Sequence, residues 1–318
     1  MSFPATPDNR LFVLARQGQR QPSALVAIAL TSVTLAVAVV GGQMASRVAI
    51  GLMLPKAEYA ATPLADGVRD LLTFTLGFVP IYLCVWAWVA LWSKRSFRTL
   101  GFERQRPLAR VVGGGTVAFS MMSAVAIGLA LLPDTAFARG QLLTVGLAAL
   151  VGGLLTLLGT LVQSSGEEVL FRGWLLPAIG ARYGPWMGVA VSSVLFGLAH
   201  GLNPNATWLG LLNLSLFGTF LALYALAEGG LWGACAWHTL WNWTDNTLLG
   251  LPDSGGPSRA GLLMSMHPGR WDVLTGGAFG PDGGLIETVV LLIGIGVIAW
   301  RKRPSREQAE PTLEAASR

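Results

Sequence analysis

No Asp, Glu, Lys or Arg occurs between Arg20 and Arg47, between Arg110 and Asp134, or between Arg139 and Glu167. Hydrocarbon offers no water to hydrogen-bond an exposed backbone, so uncharged apolar stretches of this length cross a bilayer as helices that close their own N–H and C=O groups. Spans near the roughly 20 residues needed to cross a core about 30 Å thick run over 24–43, 71–92, 111–132, 142–163, 186–200, 207–227, 231–250 and 285–300. The expected fold class is therefore all-α: a polytopic transmembrane helix bundle of about eight helices, with the lipid bilayer as its first partner. Composition agrees, because 12% of the residues are charged and 53% hydrophobic, against about 25% charged in soluble domains. The chain divides into an N-terminal leader (1–22), a helical bundle (23–300) and a basic and polar C-terminal tail (301–318) expected to be disordered. The first span is longer than a signal-peptide apolar core, so it reads as an uncleaved anchor.

The net charge of +5 reflects topology and not a nucleic-acid partner. Lys94, Arg95, Arg98, Arg104, Arg106 and Arg110 crowd one short loop against Glu103 alone, and Arg301, Lys302, Arg303 and Arg306 follow the last span. Cytoplasmic loops collect Lys and Arg, so both segments, and the leader with Arg10, Arg16 and Arg20, are expected on the cytoplasmic side. An even number of crossings returns both termini to that side, in what reads as a bacterial inner or plasma membrane. The Gly-, Pro- and Asp-rich segment from Leu251 to Gly284 then lies outside as an irregular loop.

Cys84 and Cys235 both fall inside predicted helices, which excludes a disulfide framework in an outer loop. Gly184 with Gly188, and Gly229 with Gly233, have the four-residue spacing that lets membrane helices approach closely.

Candidate chemistry lies in the second half. Glu167 and Glu168 stand together in an apolar run, with Arg172 one turn beyond Glu168. Ionisable groups at membrane depth cost roughly 3 kcal/mol or more each, so they mark a polar cavity or a functional site. Phe196 and His200 are four residues apart on a second hydrophobic segment, and His238 and Asn242 on a third. Residues so spaced share a helix face, and in a bilayer these polar faces are expected to turn inward onto one intramembrane pocket. A carboxylate beside an imidazole can deprotonate water. A second imidazole with a carboxamide one turn away can stabilise the oxyanion of amide hydrolysis. Arg172 would hold Glu168, leaving Glu167 free as the base. A purely structural account, with Glu168–Arg172 as an ion pair and each histidine as an interhelical hydrogen bond, weakens as the polar pairs accumulate on separate helices. His267 lies in the expected outer loop and reads as a surface residue.

The ordered set Glu167-Glu168-x-x-x-Arg172, Phe196-x-x-x-His200 and His238-x-x-x-Asn242 resembles the CPBP family of intramembrane proteases, also called Abi, which includes the CAAX prenyl endopeptidases. The motifs fall within 163–250. The resemblance implies an intramembrane endopeptidase acting on a membrane-associated or lipid-modified peptide or protein, a prenylated one among the candidates. It implies catalytic roles for Glu167 and His200 in activating water and for His238 and Asn242 at the oxyanion, with Glu168, Arg172 and Phe196 in support. It also implies an eight-helix bundle whose cavity opens toward the cytosol. The cofactor is none or zinc: Glu167, His200 and His238 would be the ligands of a metalloprotease site, but His-Glu-x-x-His is absent, and His238 with Asn242 reads more naturally as an oxyanion pair. A serine mechanism has candidates in Ser164, Ser165, Ser192 and Ser193, none of them in a Gly-x-Ser-x-Gly elbow. A non-catalytic membrane scaffold or immunity factor that binds a peptide or a protease is the alternative from a different class. For Glu167 and His200 to meet, the fourth helix is expected to run from near Leu150 to Ile179, after a break at Gly152 and Gly153.

Overall fold

The computed structural model describes residues 5–53, 62–103 and 106–301. A short helix α1 (Arg10–Arg16) precedes eight long ones: α2 (Ala24–Met53), α3 (Pro63–Trp92), α4 (Pro107–Ala130), α5 (Leu147–Tyr183), α6 (Pro185–Leu202), α7 (Trp208–Glu228), α8 (232–248) and α9 (Leu285–Arg301). Among the described residues α2 to α7 are long and apolar enough to cross a membrane, and α8 and α9 are slightly shorter. The protein is a polytopic helical membrane protein. The tail expected to be disordered lies, beyond Arg301, outside the described residues.

The helix starts follow local chemistry. Ser23, Thr62 and Thr207 accept hydrogen bonds from the first-turn amides of α2, α3 and α7, and Pro63, Pro107 and Pro185 take the first turns of α3, α4 and α6. Successive helices run in opposite directions, so their connections gather on two faces. On the N-terminal face, Leu231 N–H donates to Gly101 O (3.1 Å), Asn9 Nδ2 donates to Leu226 O (2.8 Å), and Arg10 pairs with Glu103. On the far face, β1 (Ala136–Arg139) pairs antiparallel with β2 (Met264–His267), Ala136 opposite His267 and Arg139 opposite Met264. The segment expected to be an irregular outer loop thus contains a strand, because the connection between α4 and α5 supplies its partner. His267 is exposed there.

Glycine sets the helix spacing, since lipid gives apolar side chains no reason to leave it. A Cβ on Gly67 would stand 2.3 Å from Gly152 O, one on Gly152 2.1 Å from Pro63 O, and one on Gly114 2.1 Å from Gly233 O. Gly152 and Gly153 accordingly sit inside a continuous α5 and do not break it; α5 starts at Leu147 and ends at Tyr183, longer at both ends than expected. The expected glycine pairs divide in function. Gly188 and Gly233 make close contacts, to Leu176 O and Glu228, whereas Gly184 (φ 102°) and Gly229 (φ 65°) terminate helices in conformations that favour glycine.

Gly114→Ala is expected to destabilise the bundle by about 1–3 kcal/mol, read as a lowered unfolding midpoint in detergent. Gly113→Ala, with nothing within 4 Å of its Cβ, is expected to leave the midpoint unchanged.

Candidate active site

The α-helical part of α5 ends at Glu168 and continues as a π-helical turn over Val169–Leu175. Such turns hold one extra residue and are frequent at functional sites. Consecutive helical residues point about 100° apart, so the two glutamates part company. Glu168 turns into the bundle interior and is 0% exposed; Glu167 faces a cavity.

Glu168 Oε1 accepts two hydrogen bonds, from Arg172 Nη1 (2.9 Å) and from His238 Nδ1 (2.9 Å). Arg172 is also 0% exposed, and its guanidinium carbon lies 4.3 Å from the centroid of Phe196 and 5.9 Å from that of Phe171. The ring faces take up the positive charge that one carboxylate oxygen leaves unmatched. With Nδ1 committed to Glu168, His238 presents Nε2 toward Glu167, 3.7 Å from its Oε2. The sequence pattern joins Glu168 to Arg172; only the fold shows that Glu168 also orients His238.

Glu167 is fixed from its own helix. Gln163, one turn earlier, donates from Nε2 to Glu167 Oε1 (2.8 Å), while Gln163 Oε1 receives Ser164 Oγ (3.0 Å) and, at 3.5 Å, Asn242 Nδ2. Glu167 Oε2 has no protein hydrogen-bond partner. His200 caps the α-helical part of α6, which ends at Ala199, and its Nδ1 lies 2.8 Å from Phe196 O. A proton on that nitrogen leaves Nε2 as an acceptor. Phe196 is the common neighbour, with ring centroids 4.9 Å from His200, 6.0 Å from His238 and 5.6 Å from Phe217. Asn242 closes the α-helical part of α8 before a second π turn, Trp243–Leu248.

These groups line a cavity of about 410 Å³, a size suited to a small ligand or a few peptide residues. Glu167, Phe196, His200, His238 and Asn242 are in its wall; Glu168 and Arg172 stand behind it. Ser164, Ser165, Ser192 and Ser193 are not in the lining. Further groups reach it that single motifs do not reveal: Gln163, Asp70, Arg259, Asp253 and Asp282. Gln163 is readable in principle, since it lies four residues before Glu167. The others arrive from α3 and the segment between α8 and α9. Arg259 pairs with Asp70 (2.5 Å), which also accepts from Thr156 (3.0 Å), and Asp282 accepts from the amide and hydroxyl of Ser254. Removal of its carboxyl from water and the neighbouring Asp282 charge push Asp253 well above the ordinary carboxylate range. As for zinc, no group of three or more His, Cys, Asp or Glu among the described residues is arranged to hold a metal ion.

Arg172→Ala is expected to cost about 3–5 kcal/mol, because it leaves the Glu168 carboxylate buried without its cation. Arg172→Lys should not restore this, since an ammonium cannot reproduce the flat stacking on Phe196. Arg270→Ala, at the exposed pair with Asp134, should shift detergent unfolding by less than about 1 kcal/mol.

Residues 148–244 match the family model described as type II CAAX prenyl endopeptidase Rce1-like. The matched segment contains all three motifs and the first π turn, and it extends the likeness to the CAAX and CPBP proteases from short motifs to a continuous segment. No curated protein and no solved structure matches the chain.

Proposed function

We propose, from the premise that residues 148–244 form an Rce1-like CAAX-type protease domain, that the protein hydrolyses a peptide bond in a membrane-associated or lipid-modified peptide by means of a glutamate-activated water. The observation that carries this reading is the placement of His238, held by Glu168 at Nδ1 (2.9 Å) and facing Glu167 with Nε2 (3.7 Å) at the cavity wall.

Glu167 is the base. Gln163 occupies its Oε1, which leaves Oε2 to take a proton from water as the water oxygen bonds to the substrate carbonyl carbon. His200 Nε2 accepts the second hydrogen of the same water and aims its lone pair. The carbonyl oxygen becomes an oxyanion, and Asn242 Nδ2 with the protonated Nε2 of His238 are the donors that stabilise it. Glu167 then passes its proton to the departing amine as the C–N bond breaks.

Glu167→Gln should lower kcat/KM on a membrane-anchored peptide by at least about 10²-fold with the unfolding midpoint unchanged, and Asn242→Ala should lower it about 10²- to 10³-fold. Full cleavage by Glu167→Gln would reject the mechanism, and peptide binding without cleavage by the wild type would favour the scaffold reading. In a separate experiment, purified protein dialysed against a strong chelator and checked by metal analysis should cleave at its original rate. Loss of cleavage that zinc restores would instead make Glu167, His200 and His238 metal ligands.

A further inference from the structure

The cavity is open at one end and sealed at the other. Its lining passes from buried Glu167, Phe171 and His238 to exposed Val39, Ala199 and Pro257. Among the described residues, the exposed lining on the far face is Ala199, at the end of α6, and Pro257, whereas Val39 lies midway along α2. Among the described residues, none of 93–103 or 228–231, the connections of the N-terminal face, is part of the lining. That side is plugged. Glu168 and Arg172 fill the first layer, and behind them Leu100 and Leu231, both 0% exposed, press on Gly173, where a Cβ would meet each within about 3 Å.

Charge says which face is which. The N-terminal face bears Arg10, Arg16, Lys94, Arg95, Arg98, Arg106 and Arg110 against Asp8, Glu103 and Glu228. Among the described residues the far face bears Arg47, Arg69, Arg139, Arg259 and Arg270 against Asp66, Asp70, Asp134, Asp253, Asp272 and Asp282. Short loops rich in Lys and Arg stay in the cytoplasm, which makes the sealed face cytoplasmic. The opening is therefore on the opposite side from the one the family resemblance implies.

We infer that the catalytic cavity opens to the extracytoplasmic face, and that the substrate is a membrane-anchored peptide whose scissile bond is presented from that side. The wall contributed by α2, at Leu35, Ala38 and Val39, gives the apolar anchor a lipid-facing route beside the polar mouth. The substrate half of the inference rests on the proteolytic reading; the sidedness does not.

The test uses full-length protein with Cys84→Ser and Cys235→Ala in a bacterial host, carrying either Ser258→Cys at the exposed rim of the mouth or Ser96→Cys on the N-terminal face. A membrane-impermeant maleimide is added to spheroplasts and to inverted vesicles. Ser258→Cys should label in spheroplasts, and Ser96→Cys in inverted vesicles alone; the reverse pattern overturns the inference whatever the activity. In a second arm, the wild-type enzyme meets two anchored peptides that carry one cleavage sequence on opposite sides of the membrane. Cleavage of the extracytoplasmic version alone is expected, and cleavage of the cytoplasmic version overturns the inference. Outward labelling with neither peptide cut at any enzyme concentration rejects the proposed substrate while the sidedness stands.

Discussion

The structure depends on a carboxylate that cannot reach water. Glu168 is sealed in the bundle, and it is tolerated because Arg172 and His238 both donate to the same oxygen while aromatic rings flank the guanidinium. Isolated ionised groups in such surroundings are prohibitively unfavourable. A buried pair of this kind adds little net stability against a well-packed apolar core, yet breaking it is costly. Its main effect is geometric: the contact that joins α5 to α8 through Glu168 and His238 also brings Nε2 of His238 to Glu167.

The remaining architecture keeps those helices where the ion pair needs them. Gly67 and Gly152 bring α3 against α5, and Gly114 and Gly233 bring α4 against α8, each through backbone contacts that no side chain would permit. Tyr82 adds a hydrogen bond to Val162 O (2.8 Å), and Trp243 one to Gly153 O (2.9 Å), on either side of the site. On the far face Asn213 donates to the carbonyls of Asp282 and Gly284 (2.8 and 2.9 Å), which fixes the segment before α9 against α7.

Much of this was legible in the chain itself, for a physical reason. Helical spacing is local, so Glu168 with Arg172, Phe196 with His200 and His238 with Asn242 each declare a shared face without knowledge of the fold. The bilayer then limits where polar faces can point, and the eight-helix architecture and a common pocket follow. What stayed hidden is what local spacing cannot encode. The bond from His238 to Glu168 joins residues 70 positions apart, and Arg259 reaches Asp70 across 189. The π turns after Glu168 and Asn242 leave no compositional mark. Gly152 and Gly153 look like a break and prove to be a contact surface, because a glycine's role depends on what approaches it. Helix ends escape local patterns for a related cause: α5 extends to Tyr183 through residues packed against α1 and α6, and sequence hydropathy does not see that packing.

In the proposed mechanism water, activated by Glu167, attacks the peptide carbonyl directly, with no covalent intermediate. Single-turnover cleavage in ¹⁸O-water with hydroxylamine present tests it most directly. One ¹⁸O atom in the new C-terminal carboxylate, with no hydroxamate formed, is the predicted result. A hydroxamate product would reveal an acyl-enzyme and contradict the account.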